Sequence, residues 1–205
     1  MGEKEKKISA AKQLAIENYK YQTEQLTRQG FTAHEALISV FRANLMAVVL
    51  SAPFIIAFVY AFVTIWNKKT EAIPIGFLIL WLLFIPVHEL LHGIGWSLFC
   101  KNRFKSIRFG IMWSSLTPYC ACNEPLGFLQ YLVGGIAPFF LLGLIPSLLG
   151  VFIGSFQCLT FGLLGILAAG GDMSICLNML KYKNALFLDH PTSCGFAAFS
   201  SPEKP

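Results

Sequence analysis

Between Arg108 and Lys181 the chain carries no Lys or Arg, and its only acids there are Glu124 and Asp172. A run this long without cations cannot dress itself in water-facing side chains. Hydrophobic residues make up 55% of the 205 residues and charged residues 13%, against about 25% charged in soluble domains. Lipid is therefore the expected solvent for most of the chain. Four apolar stretches each exceed the roughly 20 residues that cross a bilayer core: Leu45 to Trp66, Ile73 to Cys100, Gly127 to Gly154 and Phe156 to Leu180. Pro138 and Pro146 should kink the third. The expected fold is an all-α integral membrane protein with about four transmembrane helices.

The flanks carry the charge. Residues 1–44 form a polar segment that reads as amphipathic helix from Ile8 to Arg28, broken at Gly30. Thr32-Ala33-His34-Glu35 has capping-box form and should open a second helix. Both are expected on the cytoplasmic membrane surface, with His34 a solvated helix residue. No short apolar core with a small-residue cleavage site is present, so no cleaved signal peptide is expected. Residues 45–182 form the membrane domain and residues 183–205 a cytoplasmic tail with an Asp-His-Pro-Thr turn. Lys/Arg are dense before the first span, after the second (Lys101, Arg103, Lys105, Arg108) and after the fourth (Lys181, Lys183, Lys204). Between the first two spans only Lys68 and Lys69 occur. Positive charge stays inside, so both termini should be cytoplasmic and spans two and four should run parallel. Ile107, Phe109, Ile111 and Trp113 alternate with Arg108, Gly110, Met112 and Ser114, a period of two. That predicts a short cytoplasmic strand or hairpin at 104–116, able to pair with an extended substrate segment. The basic flanks argue for membrane orientation and not for nucleic-acid binding, since no aromatic-basic stripe accompanies them. The six cysteines lack zinc-finger spacing and are expected as free thiols in a reducing compartment.

His88 and His92 are four apart, so on a helix both imidazoles share one face, one turn apart, and can bind one zinc ion. Glu89 between them can take a proton from a metal-activated water. Ionisable groups at bilayer depth cost about 2.5–3.5 kcal/mol each on insertion scales, which makes a packing role for all three hard to sustain. A catalytic zinc needs a third protein ligand. Asp172 is the one charged residue of the fourth span. It precedes Lys181 by the same interval as His92 precedes Lys101, and in parallel spans that sets both at equal depth. Gly170 and Gly171 would let this span approach another helix closely. Asp189 and His190, beside Pro191, offer an alternative third ligand, a group orienting His88 or His92, or a plain turn. Glu124, before Pro125, reads as a solvated loop carboxylate.

Together these residues resemble the site of site-two proteases, intramembrane zinc proteases with a His-Glu-x-x-His helix and a remote aspartate ligand. More closely, the chain resembles the bacterial Putative zincin peptidase family of small membrane proteins. The resemblance covers about Phe77 to Phe196 and rests on His88-Glu89-Leu90-Leu91-His92-Gly93, Thr117-Pro118-Tyr119-Cys120, Ala137-Pro138-Phe139, Gly170-Gly171-Asp172 and Leu188-Asp189-His190-Pro191-Thr192. It implies a membrane-bound metallopeptidase. In place of the Asn-Pro-Asp-Gly surroundings usual in site-two proteases, Asp172 sits in Gly-Gly-Asp-Met.

The expected function is zinc-dependent hydrolysis of peptide bonds in membrane or membrane-proximal proteins. Zn2+ would be held by His88, His92 and Asp172, and Glu89 would be the general base. The rival readings are a membrane protein that transports or senses divalent metal, and an inactive scaffold with a structural metal clip. Spans one and three carry no Asp, Glu or His, which disfavours transport.

Overall fold

The computed structural model describes residues 10–67, 74–113 and 117–201. In chain order the elements are α1 (Ala10–Arg28), β1 (Thr32–Leu37), α2 (Val40–Trp66), α3 (Ile75–Ser97), β2 (Ile107–Met112), β3 (Thr117–Cys122), β4 (Leu126–Gly127), α4 (Phe128–Pro138), α5 (Ile145–Ile153), α6 (Phe156–Ala168), α7 (Gly170–Met179), β5 (Ala185–Asp189) and β6 (Gly195–Ser200). Two 3-10 turns occur among the described residues, Arg103–Ser106 before β2 and Leu180–Tyr182 after α7, and a wider π-type turn, Phe139–Leu144, joins α4 to α5.

Two layers result. Among the described residues, three helical stretches are long and apolar enough to cross a membrane: Val40–Trp66, Ile75–Ser97 and Phe128–Ile153, the last running through α4, the π-type turn and α5. Helix α2 starts at Ser39, whose hydroxyl accepts the Arg42 N–H, and stops at Asn67 in the left-handed conformation. Much of α2 and α3 faces outward, with Ile56, Tyr60, Leu82 and Leu83 all exposed. Such faces suit hydrocarbon, where a helix satisfies its own backbone groups. Helices α6 and α7 follow one another with a 44° bend, as a broken span or a re-entrant loop. Gly170, at the bend, brings α7 onto α2, since a Cβ there would lie 2.5 Å from Ala47 Cα. Gly171 has open space around its Cβ position and makes no such approach.

The second layer is a four-stranded antiparallel sheet of order β1-β6-β5-β4. Its strands β5 and β6 are covered on both faces, while the edge strand β1 is largely exposed. Phe187, Phe196 and Ala198 point into a core with Trp96, Tyr131, Cys122 and Met179. Leu188, Ala197 and Phe199 face the other way, onto Leu26 of α1. Burial on both faces explains the near-continuous apolar runs of β5 and β6.

The all-α expectation is therefore corrected. Among the described residues there are two antiparallel sheets, and three unbroken apolar helices plus a bent pair where about four transmembrane helices were expected. The segment from Thr32 is strand β1 and not a second amphipathic helix: its helix-favouring residues yield to backbone pairing with β6, from Thr32↔Ser200 to Leu37↔Gly195. His34 lies in that strand and stacks on Tyr182. Helix α1 packs on the sheet through Leu26. The hairpin expected at 104–116 is β2 paired with β3, from Ile107↔Cys122 to Met112↔Thr117. Its second strand is thus the Thr-Pro-Tyr-Cys run. In the tail, the Asp-His-Pro-Thr segment lies at the end of β5 and in its connection to β6. Lys68, Lys69 and Lys204, used for orientation, lie outside the described residues.

Candidate metal centre

Helix α3 carries His88 and His92 on one face, and α7 brings Asp172 against them. His88 Nε2 lies 3.1 Å from Asp172 Oδ2 and 3.2 Å from His92 Nε2, and His92 Nε2 lies 3.4 Å from Asp172 Oδ2. Both histidines are buried, and the Asp172 side chain is 26% exposed. Among the described residues these three form the group of His, Cys, Asp or Glu that could hold a metal ion.

The tautomers follow from the surroundings. The Gly134 carbonyl can only accept, so His92 Nδ1 carries the proton and donates to it at 2.8 Å. A neutral His92 then turns its Nε2 lone pair to the cluster. This bond needs α3 and α4 in backbone contact. A Cβ on Gly95 would lie 2.6 Å from Gly134 Cα, and one on Gly134 would lie 2.2 Å from Trp96 Cδ1. Trp96 stacks on the His92 ring at 5.4 Å and donates its indole N–H to the Tyr131 carbonyl. His88 Nδ1 is buried without a hydrogen-bond partner among the described residues.

The donor set fits a divalent ion. With His92 neutral, its Nε2 and the Asp172 carboxylate would be two acceptors facing each other at 3.4 Å. One proton on His88 Nε2 can serve only one of them, whereas a cation serves all three. The edges of the triangle, 3.1 to 3.4 Å, match those of a tetrahedron with zinc bonds of about 2.0–2.1 Å, about 3.3–3.4 Å.

Glu89 belongs to the same turn but points to the hairpin. Its carboxylate accepts the Cys120 backbone N–H. Strand β3 packs on α3 at Gly93, where a Cβ would lie 2.8 Å from Phe109 Cζ and 3.3 Å from Cys120 Sγ. Cys122 N–H also leaves β3 on the side away from β2, to Asp189 Oδ2 at 2.6 Å. Pro118 shares this parity, so its missing N–H takes no bond from the hairpin ladder.

The other sequence candidates fall elsewhere. His190 sits in the β5–β6 connection, where its Nδ1 accepts the N–H groups of Thr192 and Ser193. Asp189, its neighbour, turns inward to Cys122 N–H and to the Tyr131 hydroxyl. Glu124 is a partly exposed loop carboxylate, as read from the sequence, and it is also engaged by the chain around it. It accepts the N–H groups of Lys101 and Asn102, the Asn102 side-chain amide and the Ser106 hydroxyl, clasping the chain after α3. Burial alone would raise its carboxyl, but these bonds, led by Ser106, hold it below its ordinary value. Sequence reading missed Tyr131, Gly134 and Trp96 as supports of the site, because nothing in their spacing marks them. A cavity of about 670 Å³ beside β1, α2 and α7 includes none of His88, Glu89, His92 or Asp172 in its lining. Donor chemistry, and not volume, locates the site.

No curated protein and no solved structure matches the chain. A family model does, over residues 81–187, which takes in the histidine pair, Glu89, the hairpin and Asp172. On that match the chain belongs to the family described as Putative zincin peptidase.

Proposed function

We propose that the protein is a membrane-embedded zinc metallopeptidase. His88, His92 and Asp172 hold the ion, and Glu89 is the general base. The observation that carries this reading is the triangle of donor atoms with Glu89 on the adjoining residue of the same helix. Bound zinc would supply Lewis acidity, acidifying water and polarising a peptide carbonyl. Glu89 takes a proton from the attacking water and hands it to the departing amine. The Cys120 N–H keeps that carboxylate aimed. His92 is locked in its ligating tautomer by Gly134.

The substrate is a membrane or membrane-proximal polypeptide, reached from the bilayer, with both termini of the enzyme and the hairpin on the cytoplasmic side. Cys120 and Cys122 commit the outer-edge donors of β3 to Glu89 and Asp189. An extended substrate segment would therefore add along β2. The ligands come from two helices and adjoin a base, which favours hydrolysis over ion passage.

The test uses the full chain in lipid nanodiscs, with zinc content and cleavage of a pool of internally quenched peptides as readouts. Glu89→Gln should keep wild-type zinc and lose at least about a hundredfold in turnover. Loss of zinc in that variant would remove Glu89 from the role of base. Retained cleavage would overturn the mechanism.

A further inference from the structure

Strand β3 presents two outward N–H groups, Cys120 and Cys122, and a carboxylate takes each. One is Glu89 of α3 and the other is Asp189 of β5. In a strand, alternate residues point their N–H groups to the same edge. Fixing one therefore fixes the height of the other. Asp189 also accepts the Tyr131 hydroxyl with its second oxygen. Tyr131 in turn holds Trp96 through its carbonyl and its ring, 5.3 Å away, and Trp96 stacks on His92. Gly134, less than one turn along α4 from Tyr131, receives the His92 N–H. The element that aims the base and the helix that orients a histidine thus meet at one side chain. The anchor is firm, because Phe187 and Leu188 before Asp189 are 0% and 1% exposed and β5 pairs with β6.

We propose that Asp189 is a positioning residue for the peptidase reaction: through Cys122 it sets the register of β3 on α3, and so keeps the Cys120 N–H on Glu89. This rests on the reading of Glu89 as the base. Two further facts support it. A turn-forming role is already filled by His190, whose ring nitrogen accepts the connection's N–H groups. Burial pushes the Asp189 carboxyl up to about 6, against the bonds from Tyr131 and Cys122 that favour its charged form. A carboxylate retained in spite of that cost has a task that an apolar side chain would not perform.

The chemistry separates the variants. Asp189→Ala removes both bonds. Asp189→Asn can still accept from Cys122 N–H and can donate to the Tyr131 oxygen. Tyr131→Phe leaves the Cys122 bond alone. With the full chain in nanodiscs and the same peptide pool, Asp189→Ala should lower kcat by about 10- to 100-fold. KM and zinc content should be unchanged. Asp189→Asn should restore most of the turnover, and Tyr131→Phe should lose a few-fold at most. Hydrogen exchange over residues 117–122 reads the tie without any activity. In Asp189→Ala the protection of the Cys120 amide should fall about tenfold or more, and in Asp189→Asn it should hold. A folded Asp189→Ala protein with wild-type kcat and unchanged protection of that segment would overturn the proposal. So would an Asp189→Asn variant as impaired as Asp189→Ala, because then the bond to Cys122 is not what matters. If Asp189→Ala fails to fold, the Asp189→Asn and Tyr131→Phe pair decides by the same two readouts. A wild-type protein that cleaves nothing would instead sink the peptidase reading, and the exchange data would still judge the tie to β3.

Discussion

Helix α2 and strand β6 are built from the same residue types and treat them in opposite ways. Only 11% of the most apolar window of α2 is buried inside the protein. In β6, Phe196, Ala197, Ala198 and Phe199 are all 1% exposed or less. The helical layer turns its Leu, Ile and Phe outward, as suits a hydrocarbon solvent, so packing within the protein contributes little there. The sheet buries the same groups against α1 and against Trp96, Tyr131 and Met179, as a water-soluble domain does. The difference teaches where to look for function. Ser51 of the helical layer ties α2 to α6 by donating to the Ile166 carbonyl, whereas the ionisable groups His88, Glu89, His92 and Asp172 are the ones that the proposed function uses for chemistry. In the sheet layer a polar group such as Asp189 is tied into the fold itself.

Substitutions can break this contrast or sharpen it. The largest effect should come from Asp172→Ala, which removes a carboxylate from the triangle. Zinc content and peptide cleavage should fall together, by about a hundredfold or more in affinity on the scale of a lost ligand, and Asp172→Asn should keep partial binding. Helicity by circular dichroism should stay at the wild-type level in both. A variant that keeps its zinc would show that this helical-layer polar group serves packing after all. Next, Phe187→Ala should cost about 3–5 kcal/mol of stability in denaturant unfolding, the usual range for an aromatic deleted from a closed core. Leu82→Ala, at a position 65% exposed on α3, should cost under about 0.5 kcal/mol by the same assay. Equal costs would erase the distinction between the layers.

Gly134→Ala lies where the layers touch. The added Cβ would meet the Trp96 ring at 2.2 Å, and overpacking of this kind costs about 1–3 kcal/mol. Because Trp96 stacks on His92, zinc affinity measured by competition with a chelator should drop as well. A further effect, on the acid side, concerns Glu124. Its folded-state pKa is lowered from the ordinary 4.5. Its contribution is therefore complete above that value and is lost as pH falls below about 4.5 towards the folded pKa. Melting temperature against pH should decline over that acid range in the wild type, and Glu124→Gln should flatten the decline at a loss of about 1 kcal/mol at neutral pH. An unchanged acid profile would mean the clasp after α3 carries no weight.

Much of the helical layer and the donor set is open to reading from the chain. The apolar runs are long, and the histidine pair and Asp172 interrupt them with groups that lipid disfavours. The sheet is harder to read, for physical reasons. Ala185 to Asp189 and Gly195 to Ser200 are buried on both faces, so they lack the polar alternation that marks a half-exposed strand. The one available signal is two short apolar runs around His190-Pro191-Thr192-Ser193-Cys194, which reads equally as a turn in a tail. Thr32 to Leu37 contains Ala, Glu and Leu, good helix formers, and only its distant partner β6 makes it a strand. The break between α6 and α7 is also hidden, since Gly170 and Gly171 read as a close-packing patch and not as a bend.

The pairing of β1 with β6 has a bearing on the order of assembly. Thr32 meets Ser200 near the opposite end of the described chain, and contacts so distant in sequence close late, after loop-closure entropy has been met. The histidines and Asp172 all emerge before β5 and β6, while the Asp189 carboxylate that grips β3 arrives with β5. On the proposed function, the donors His88, His92 and Asp172 are thus complete during synthesis before the strand beside Glu89 is anchored. A nascent chain would be able to take up metal while still a poor catalyst. Cleavage competence would come last, with the closing of the sheet.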